Sequence, residues 1–349
     1  MQIPNTKWSW LVNHRRSYST FARGDFFNEM GGDWVPHYES GKYDFAVLHL
    51  DQQCFEESLW DRGKGSLYKE VDKVVTDIPK VVIMHGTPYY PEAFTCDITK
   101  ENYEQLGYTK DQIGMSSELI RKFYNATRDI DVLVFNSRTA RKQWGCVGIK
   151  EDDKINELNF IGKTSTGKDQ YAIALWHGLD PEEWYDLPKE PRVVTMISPG
   201  GLDMYYDRTL LRGVRELLSE KNIEHCHITS DVEFKTTEEY KKFLGRSLVY
   251  FNPTRESPMP RSRTEAMLSG CCVVSRSGQD VEDFIVTGEN GVIIPTRNPT
   301  LIVEIIEGLI YDYKKAIAIG QKGKQTAKET FSIDKFHKSW ETIINHITK

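Results

Sequence analysis

No run in the 349-residue chain reaches the roughly 18 consecutive apolar residues that a membrane-crossing helix needs, so no segment reads as a transmembrane span. The opening MQIPNTKWSWLVNHRR lacks the apolar core of a secretory signal, and the chain is expected in the cytoplasm. Six cysteines occur without a CxxC pair, which fits neither a zinc site nor a disulfide framework. Cys271 and Cys272 are neighbours on a strand-like run and would face opposite sides, so reduced thiols are expected. A basic excess is missing too: 45 Lys and Arg stand against 51 Asp and Glu, a formal net charge of -6. That removes the whole-chain reason to expect nucleic acid as a partner. There is no repeat of roughly 20–50 residues and no low-complexity tract. What remains, 39% hydrophobic and 28% charged, is the composition of a globular protein long enough for two domains.

Short apolar runs recur, each followed by a polar loop and a helix-period segment. They are DFAVLHL (44–50), KVVIMHG (80–86), DVLVFNS (131–137), YAIALWHG (171–178), RVVTMIS (192–198), SLVYFNP (247–253), CCVVS (271–275) and GVIIP (291–295). Runs apolar on both faces suit parallel strands covered by helices on both sides. Residues 115–124 and 332–347 each place their apolar residues on one helical stripe, with Ser332 positioned to cap the second. Strand-helix alternation over this length predicts an α/β fold of two doubly wound sheets. The proline- and acid-rich GLDPEEWYDLPKEPR (178–192) reads as the junction. The expected domains are 1–186, joined by a C-terminal helix at 331–349, and 187–330. Residues 145–170, polar and Gly-rich, read as loop plus a short element.

In doubly wound sheets, ligands bind beyond the carboxyl ends of the strands. His85, Asn136 with Ser137, His177 with Gly178, and Glu256 all stand at such ends. The densest chemistry lies in FNPTRESPMPRSRTEAMLSGCCVVS (251–275), where two carboxylates, Glu256 and Glu265, accompany Arg255, Arg261 and Arg263. A carboxylate accepts two hydrogen bonds in a fork, which suits the vicinal hydroxyls of a sugar or ribose. A helix opening at Glu265, capped by Thr264 or Ser262, would offer free N–H groups and its dipole to a diphosphate. Arg261 and Arg263 would add charge-assisted bonds to phosphate oxygens. The alternative is that Glu265 only favours the helix N-terminus and the arginines are solvated. At the other end of the chain, KWSWLVNHRRSYSTFAR (7–23) carries four Lys/Arg, among them Arg15 and Arg16, interleaved with aromatics and no acid. That segment is suited to an anionic acceptor, a sugar chain or contact with a phospholipid surface, or else to a core strand with snorkelling arginines. Asp51 ends another strand, as an acceptor contact or a helix cap.

The order of these motifs resembles the retaining glycosyltransferases of the GT-B fold, the group 1 or family 4-like enzymes. NPTRE, TEAMLSG, CCVVS and VEDFIVTGENGVIIP follow the second-domain pattern of that group. WHGLDPEEW is similar to its domain-junction segment, and HGTP and FNSRTARKQW to first-domain segments. The resemblance covers about residues 80–295 and is densest over 247–295. It implies two Rossmann-like domains facing a central cleft, with a C-terminal helix crossing back to the first. It further implies transfer of a hexosyl unit from a nucleotide diphosphate sugar to a saccharide or lipid-linked acceptor, with no cofactor and no metal required. On this resemblance Glu256 touches the donor sugar, Glu265 the nucleoside ribose, and His85 the reacting centre. Gly200, Gly201, Arg261, Ser262, Arg263 and Thr264 surround the donor, and Arg15, Arg16, Asp51, Asn136, His177 and Gly178 fall to the acceptor or the cleft. Two departures stand out. Eight residues separate Glu256 from Glu265 where the group has seven, a rotation of about 100° on a continuous helix, although Pro258 and Pro260 place the extra residue in a loop. Gly200–Gly201 replaces the Gly-Arg of the phosphate-binding Gly-Arg…Lys-Gly pattern, leaving Arg208 nearest the lysine position. A nucleotide-sugar epimerase on the same plan, or a glycan- or partner-binding module without turnover, remains open at this point.

Overall fold

A computed structural model describes residues 8–11, 33–34, 44–50, 78–84, 86, 88, 117–145, 154–197, 206–228, 231–255 and 259–349. The chain divides into two compact units, one made of Met1–Tyr90, Thr109–Gly178 and Asp334–Lys349, the other holding Leu179–Ile333.

Among the described residues, the first unit carries a seven-stranded sheet. In chain order its strands are β1 (Trp8–Leu11), β2 (Asp33–Trp34), β3 (Phe45–Leu50), β4 (Lys80–Met84), β5 (Val132–Phe135), β6 (Asn159–Lys163) and β7 (Asp169–Ala174). Their spatial order is β2-β1-β3-β4-β5-β7-β6, and every pairing is parallel except β6 with β7. β4 and β5 are buried at every position, as expected of strands covered on both faces. Helices α1 (Ser117–Thr127) and α2 (Arg138–Gln143) flank β5 in sequence. Ser137 caps α2 by accepting the Ala140 N–H. Phe123 of α1 meets Trp144 just past α2 with ring centroids 4.9 Å apart, closing a core shared with Val82, Met84 and Phe135. The Trp144 indole also donates to the Gly86 carbonyl at 3.2 Å. The last helix of the chain, Ile333–Ile347, belongs to this unit. It buries Phe336, Trp340, Ile343 and Ile344, and its His346 ring lies 4.2 Å from Tyr171 of β7. Where the sequence reads as a loop with a short element, the structure forms β6 and the start of β7.

Among the described residues, the second unit holds a five-stranded, all-parallel sheet in the order β12-β11-β10-β8-β9. Its elements in sequence are β8 (Glu190–Met196), α3 (Arg208–Glu220), β9 (His225–Ile228), α4 (Thr237–Arg246), β10 (Ser247–Asn252), α5 (Arg261–Leu268), β11 (Cys272–Arg276), β12 (Val292–Ile294), α6 (Pro299–Tyr311) and α7 (Tyr313–Thr330). The Ile333–Ile347 helix is therefore α8. Leu210, Leu211, Val214 and Leu218 form the buried stripe of α3, in a core cluster shared with residues of β8, β10, β11 and α6. Cys226, Cys271 and Cys272 are free and buried, and burial pushes the Cys271 thiol up to about 11 and the Cys272 thiol up to about 12. The chain leaves β8 for β9 on one side and returns to β10 on the other. The carboxyl ends of β8 and β10 therefore flank the point where strand order reverses, the place such sheets use for ligands.

Candidate active site

The carboxyl end of β10 runs through Asn252 to Thr254, which bridges to Tyr206 just ahead of α3. α5 then begins at Arg261, with Pro260 at its N-cap and no side chain capping it. The sequence predicts a helix opening at Glu265 with Thr264 or Ser262 as cap, and here the structure corrects it. Proline already holds φ at -64°, close to the helical value, so the chain turns helical at once, and Thr264 is buried inside the helix. The first-turn N–H groups of α5 thus have no side-chain acceptor from their own cap.

Glu265 consequently sits in the second turn, only 8% exposed. Arg261, one turn earlier, brings its Nε to 2.8 Å from Glu265 Oε1. From α4, the Tyr240 hydroxyl donates to Glu265 Oε2 at 2.6 Å. Burial, then the neighbouring Glu265 charge, hold the Tyr240 phenol well above its ordinary value, so it remains a donor at neutral pH. The same tyrosine lines a cavity of about 590 Å³ with Met196, Ile228, Asp231, Val232, Glu233 and Phe234. Asp231 at its rim is held by Arg215 at 2.8 Å and accepts the His227 N–H at 2.8 Å. The cavity therefore lies where β8 and β9 end, and its Tyr240 wall is the residue hydrogen-bonded to Glu265.

The arginines separate into distinct tasks. Arg263 is 0% exposed. Its guanidinium donates to Met259 Sδ at 2.9 Å and to the Gln279 carbonyl at 3.3 Å, and stacks 5.1 Å over the Phe284 ring. Desolvation pulls it down to about 10, still charged at neutral pH. It ties α5 to the loop after β11, which is neither the solvated nor the phosphate-facing place that its position in the sequence indicates. Ser262 accepts the Tyr250 hydroxyl at 2.7 Å. Arg208 is the exposed first residue of α3. Beside it, buried Asp207 caps that helix through the Leu210 N–H. Asp207 also draws in Arg297 at 2.7 Å and Arg255 at 3.3 Å, from the loops that follow β12 and β10, and Arg276 at 3.5 Å, the last residue of β11. Sequence reasoning passed over Arg276, Arg297, Asp207 and Tyr240. The first two were visible only as arginines at strand ends. Asp207 was visible as an acid just before a helix, and nothing in the sequence links Tyr240 to Glu265 across 25 residues.

Burial alone would raise the Asp207 carboxyl, but the Arg297 hydrogen bond, the Arg255 and Arg297 charges and the Leu210 N–H outweigh it and hold the group below its usual 3.8. A carboxyl depressed in the folded state stabilises fully above its unfolded value and loses that contribution as pH falls through the folded one. Asp207→Asn is therefore expected to lower resistance to urea at pH 7. The gap from the parent chain should narrow by pH 3, as the parent begins to protonate. An equal gap at both values would refute this account of Asp207.

In the first unit, Asn136 follows β5 and is buried, while His177 and Gly178 follow β7, its parallel neighbour. These residues stand at the carboxyl ends of adjacent strands. His85, Glu256, Gly200, Gly201, Arg15, Arg16 and Asp51 lie outside the described residues.

Residues 212–326 match the sequence profile of the family described as glycosyl transferases group 1. No curated protein sequence matches the chain. Among solved structures, HepE from Anabaena in complex with UDP-glucose is 12% identical, with a TM-score of 0.59 over 97% of this chain and 100% of that one. Sucrose-phosphate synthase from Thermosynechococcus elongatus is 11% identical, with a TM-score of 0.56 over 87% of this chain and 73% of that one. TarM from S. aureus, in complex with fondaparinux, alpha-GlcNAc-glycerol and UDP, is 14% identical with a TM-score of 0.59. The match takes in 86% of this chain but 55% of TarM. No described helix is long and apolar enough to cross a membrane. With the profile match lying in the second unit and both sheets matching these structures, the chain has the GT-B fold and carries a glycosyl transferases group 1 domain over residues 212–326.

Proposed function

We propose that the chain transfers a hexosyl unit from a nucleotide diphosphate sugar to a hydroxyl of a saccharide or lipid-linked acceptor, with retention of anomeric configuration. One observation carries the donor half of this reading: Tyr240 both lines the cavity and hydrogen-bonds Glu265. About 590 Å³ is within the usual range of a small-molecule site. A nucleoside base seated there would place its ribose against the Glu265 carboxylate. The first turn of α5, which has no side-chain N-cap, would meet the diphosphate, with its N–H groups and the helix dipole stabilising negative charge. Arg255, Arg276 and Arg297, gathered by Asp207 at or beyond the ends of three strands, make this side of the sheet cationic. They offer a substitute for the Gly-Arg pair that the sequence lacks. HepE and TarM were solved with UDP-glucose and UDP respectively, which favours a nucleoside diphosphate as the shared part of the donor.

In this reading the chemical demand is electrostatic. The departing diphosphate and an oxocarbenium-like carbon must both be stabilised, and fixed dipoles and cations accomplish this without reorganising during the reaction. The leaving phosphate takes the proton from the acceptor hydroxyl. Glu256 and His85 hold their proposed places at the sugar on the strength of the sequence resemblance, and Arg208 its place at the phosphates. The test is incubation with UDP-, GDP- and ADP-sugars, with and without saccharide acceptors, in the presence of EDTA. The expected result is acceptor-dependent release of the nucleoside diphosphate and, by NMR, a product with the donor's anomeric configuration. Inverted product, sugar isomerisation in place of transfer, or turnover abolished by EDTA would each overturn the corresponding part of the proposal.

A further inference from the structure

The Tyr240 ring is clamped on two sides, edge-on to Trp184 with centroids 6.1 Å apart and to Phe234 at 5.8 Å. Its hydroxyl has little freedom to move independently of that ring, and it ends 2.6 Å from Glu265 Oε2 and 3.4 Å from Met196 Sδ. Met196 and Phe234 are themselves walls of the cavity. A carboxylate offers about four lone-pair positions. Tyr240 occupies one on Oε2 and Arg261 stands against Oε1, so these two contacts fix the plane of the carboxylate and take up two of the four positions. A pair of vicinal hydroxyls is the ligand that two adjacent, coplanar acceptors fit.

We propose that Tyr240 is a positioning residue for the donor: it sets the Glu265 carboxylate plane for the two ribose hydroxyls and so makes the site select ribonucleotides over 2′-deoxyribonucleotides. The proposal rests on the donor reading above, in which Glu265 meets the ribose. Tyr240 reaches the donor sugar only through Glu265, so its loss weakens the ribose contact and leaves the chemistry at the hexose untouched.

Calorimetric titration of UDP, GDP and ADP, each against its 2′-deoxy form, reads this directly in the parent chain, Tyr240→Phe and Glu265→Gln. For the tightest-binding base, Tyr240→Phe is expected to lower ribonucleotide affinity about tenfold, since a hydrogen bond to a charged group is lost while the ring stays. Affinity for the 2′-deoxy form should stay within about twofold, so that the preference collapses toward one. In turnover, donor KM should rise with kcat nearly unchanged. Equal weakening of both nucleotide forms would reduce Tyr240 to a cavity wall and overturn the proposal, as would an unchanged preference. Failure of the donor reading has a separate signature. Either the parent chain binds none of the nucleotides, or Glu265→Gln keeps the full ribose preference, and both outcomes would overturn the two readings together.

Discussion

Replacing Lys189 with methionine is expected to lower the stability of the second unit by about 3 kcal/mol, the largest loss we foresee from one substitution outside the site. The lysine side chain is 3% exposed just ahead of β8. Its ammonium donates to the Gly245 carbonyl at 2.7 Å and the Ser269 carbonyl at 2.5 Å, and lies 3.3 Å from Asp186. Gly245 lies in the last turn of α4 and Ser269 caps α5, so one cation satisfies carbonyls at two helix ends, where the macrodipole is negative. Methionine keeps the volume but supplies no donor: the Ser269 carbonyl loses the ammonium, the Gly245 carbonyl keeps only the Leu187 N–H, and Asp186 keeps Lys324 and Gln321. Gly270, next to this knot, takes φ +72° and packs so closely on Asp186 that a Cβ would lie 2.6 Å from its Oδ1, so the region has little room to rearrange. At the usual sensitivity for a unit of this size the melting transition should fall by roughly 6–12 °C. Lys328→Met is the contrast: its pair with Glu182 is 3.5 Å long and largely exposed, so a loss below about 0.5 kcal/mol is expected. Comparable losses from the two variants, by thermal melting at one pH, would show that the Lys189 knot is not what holds these helix ends.

The parallel strands were legible in the sequence wherever they are buried on both faces. β4, β5 and β10 are apolar runs with no exposed position, and runs of that length bounded by polar loops have few other uses. β9, with the sequence HCHI, escaped because it lies at the sheet edge and buries only every second residue, leaving two histidines half-covered in a four-residue stretch. β6 escaped for a similar reason: it is an antiparallel edge strand with a half-exposed pattern and a glycine inside it. The site shows the same division. Glu265 and Arg261 stand four residues apart on one helix, so their meeting follows from helical geometry once the helix is recognised. Arg263, two residues further, points to the opposite side and is buried. Two residues are about 200° on a helix, and that distinction depends on knowing where the helix starts. The sequence placed the start four residues late because a Thr-Glu pair looks like a cap, whereas Pro260 had already set it. Contacts between elements, such as Tyr240 with Glu265 or Asp207 with three arginines from three separate strand ends and loops, depend on strand order. No local pattern encodes that order.

Glu256→Ala and Glu265→Ala are expected to fail in opposite ways, and the contrast is the largest functional effect to look for. In the proposed reading Glu256 holds the transferred sugar, where positive charge develops at the reacting carbon. Glu265 holds the ribose, a part of the donor that does not change between ground and transition states. An interaction that strengthens only in the transition state contributes to kcat, whereas one that is uniform contributes to donor affinity. Glu256→Ala should therefore reduce kcat by about 100-fold or more, the scale of losing one electrostatic contact at a reacting centre, with donor KM within a few-fold of the parent. Glu265→Ala should raise donor KM about tenfold or more while kcat falls much less. The extra residue between the two acids does not weaken this expectation. α5 begins at Arg261, so the last four residues of the interval are helical and the first four, with Pro258 and Pro260 among residues 257–260, lie ahead of the helix where length can be absorbed. Initial rates over a range of donor concentrations, with circular dichroism to confirm that both variants keep the parent fold, separate the two signatures. Near-normal turnover in a folded Glu256→Ala variant would remove that residue from the chemistry. A kcat defect without a KM defect in Glu265→Ala would move Glu265 from the ribose to the reacting sugar.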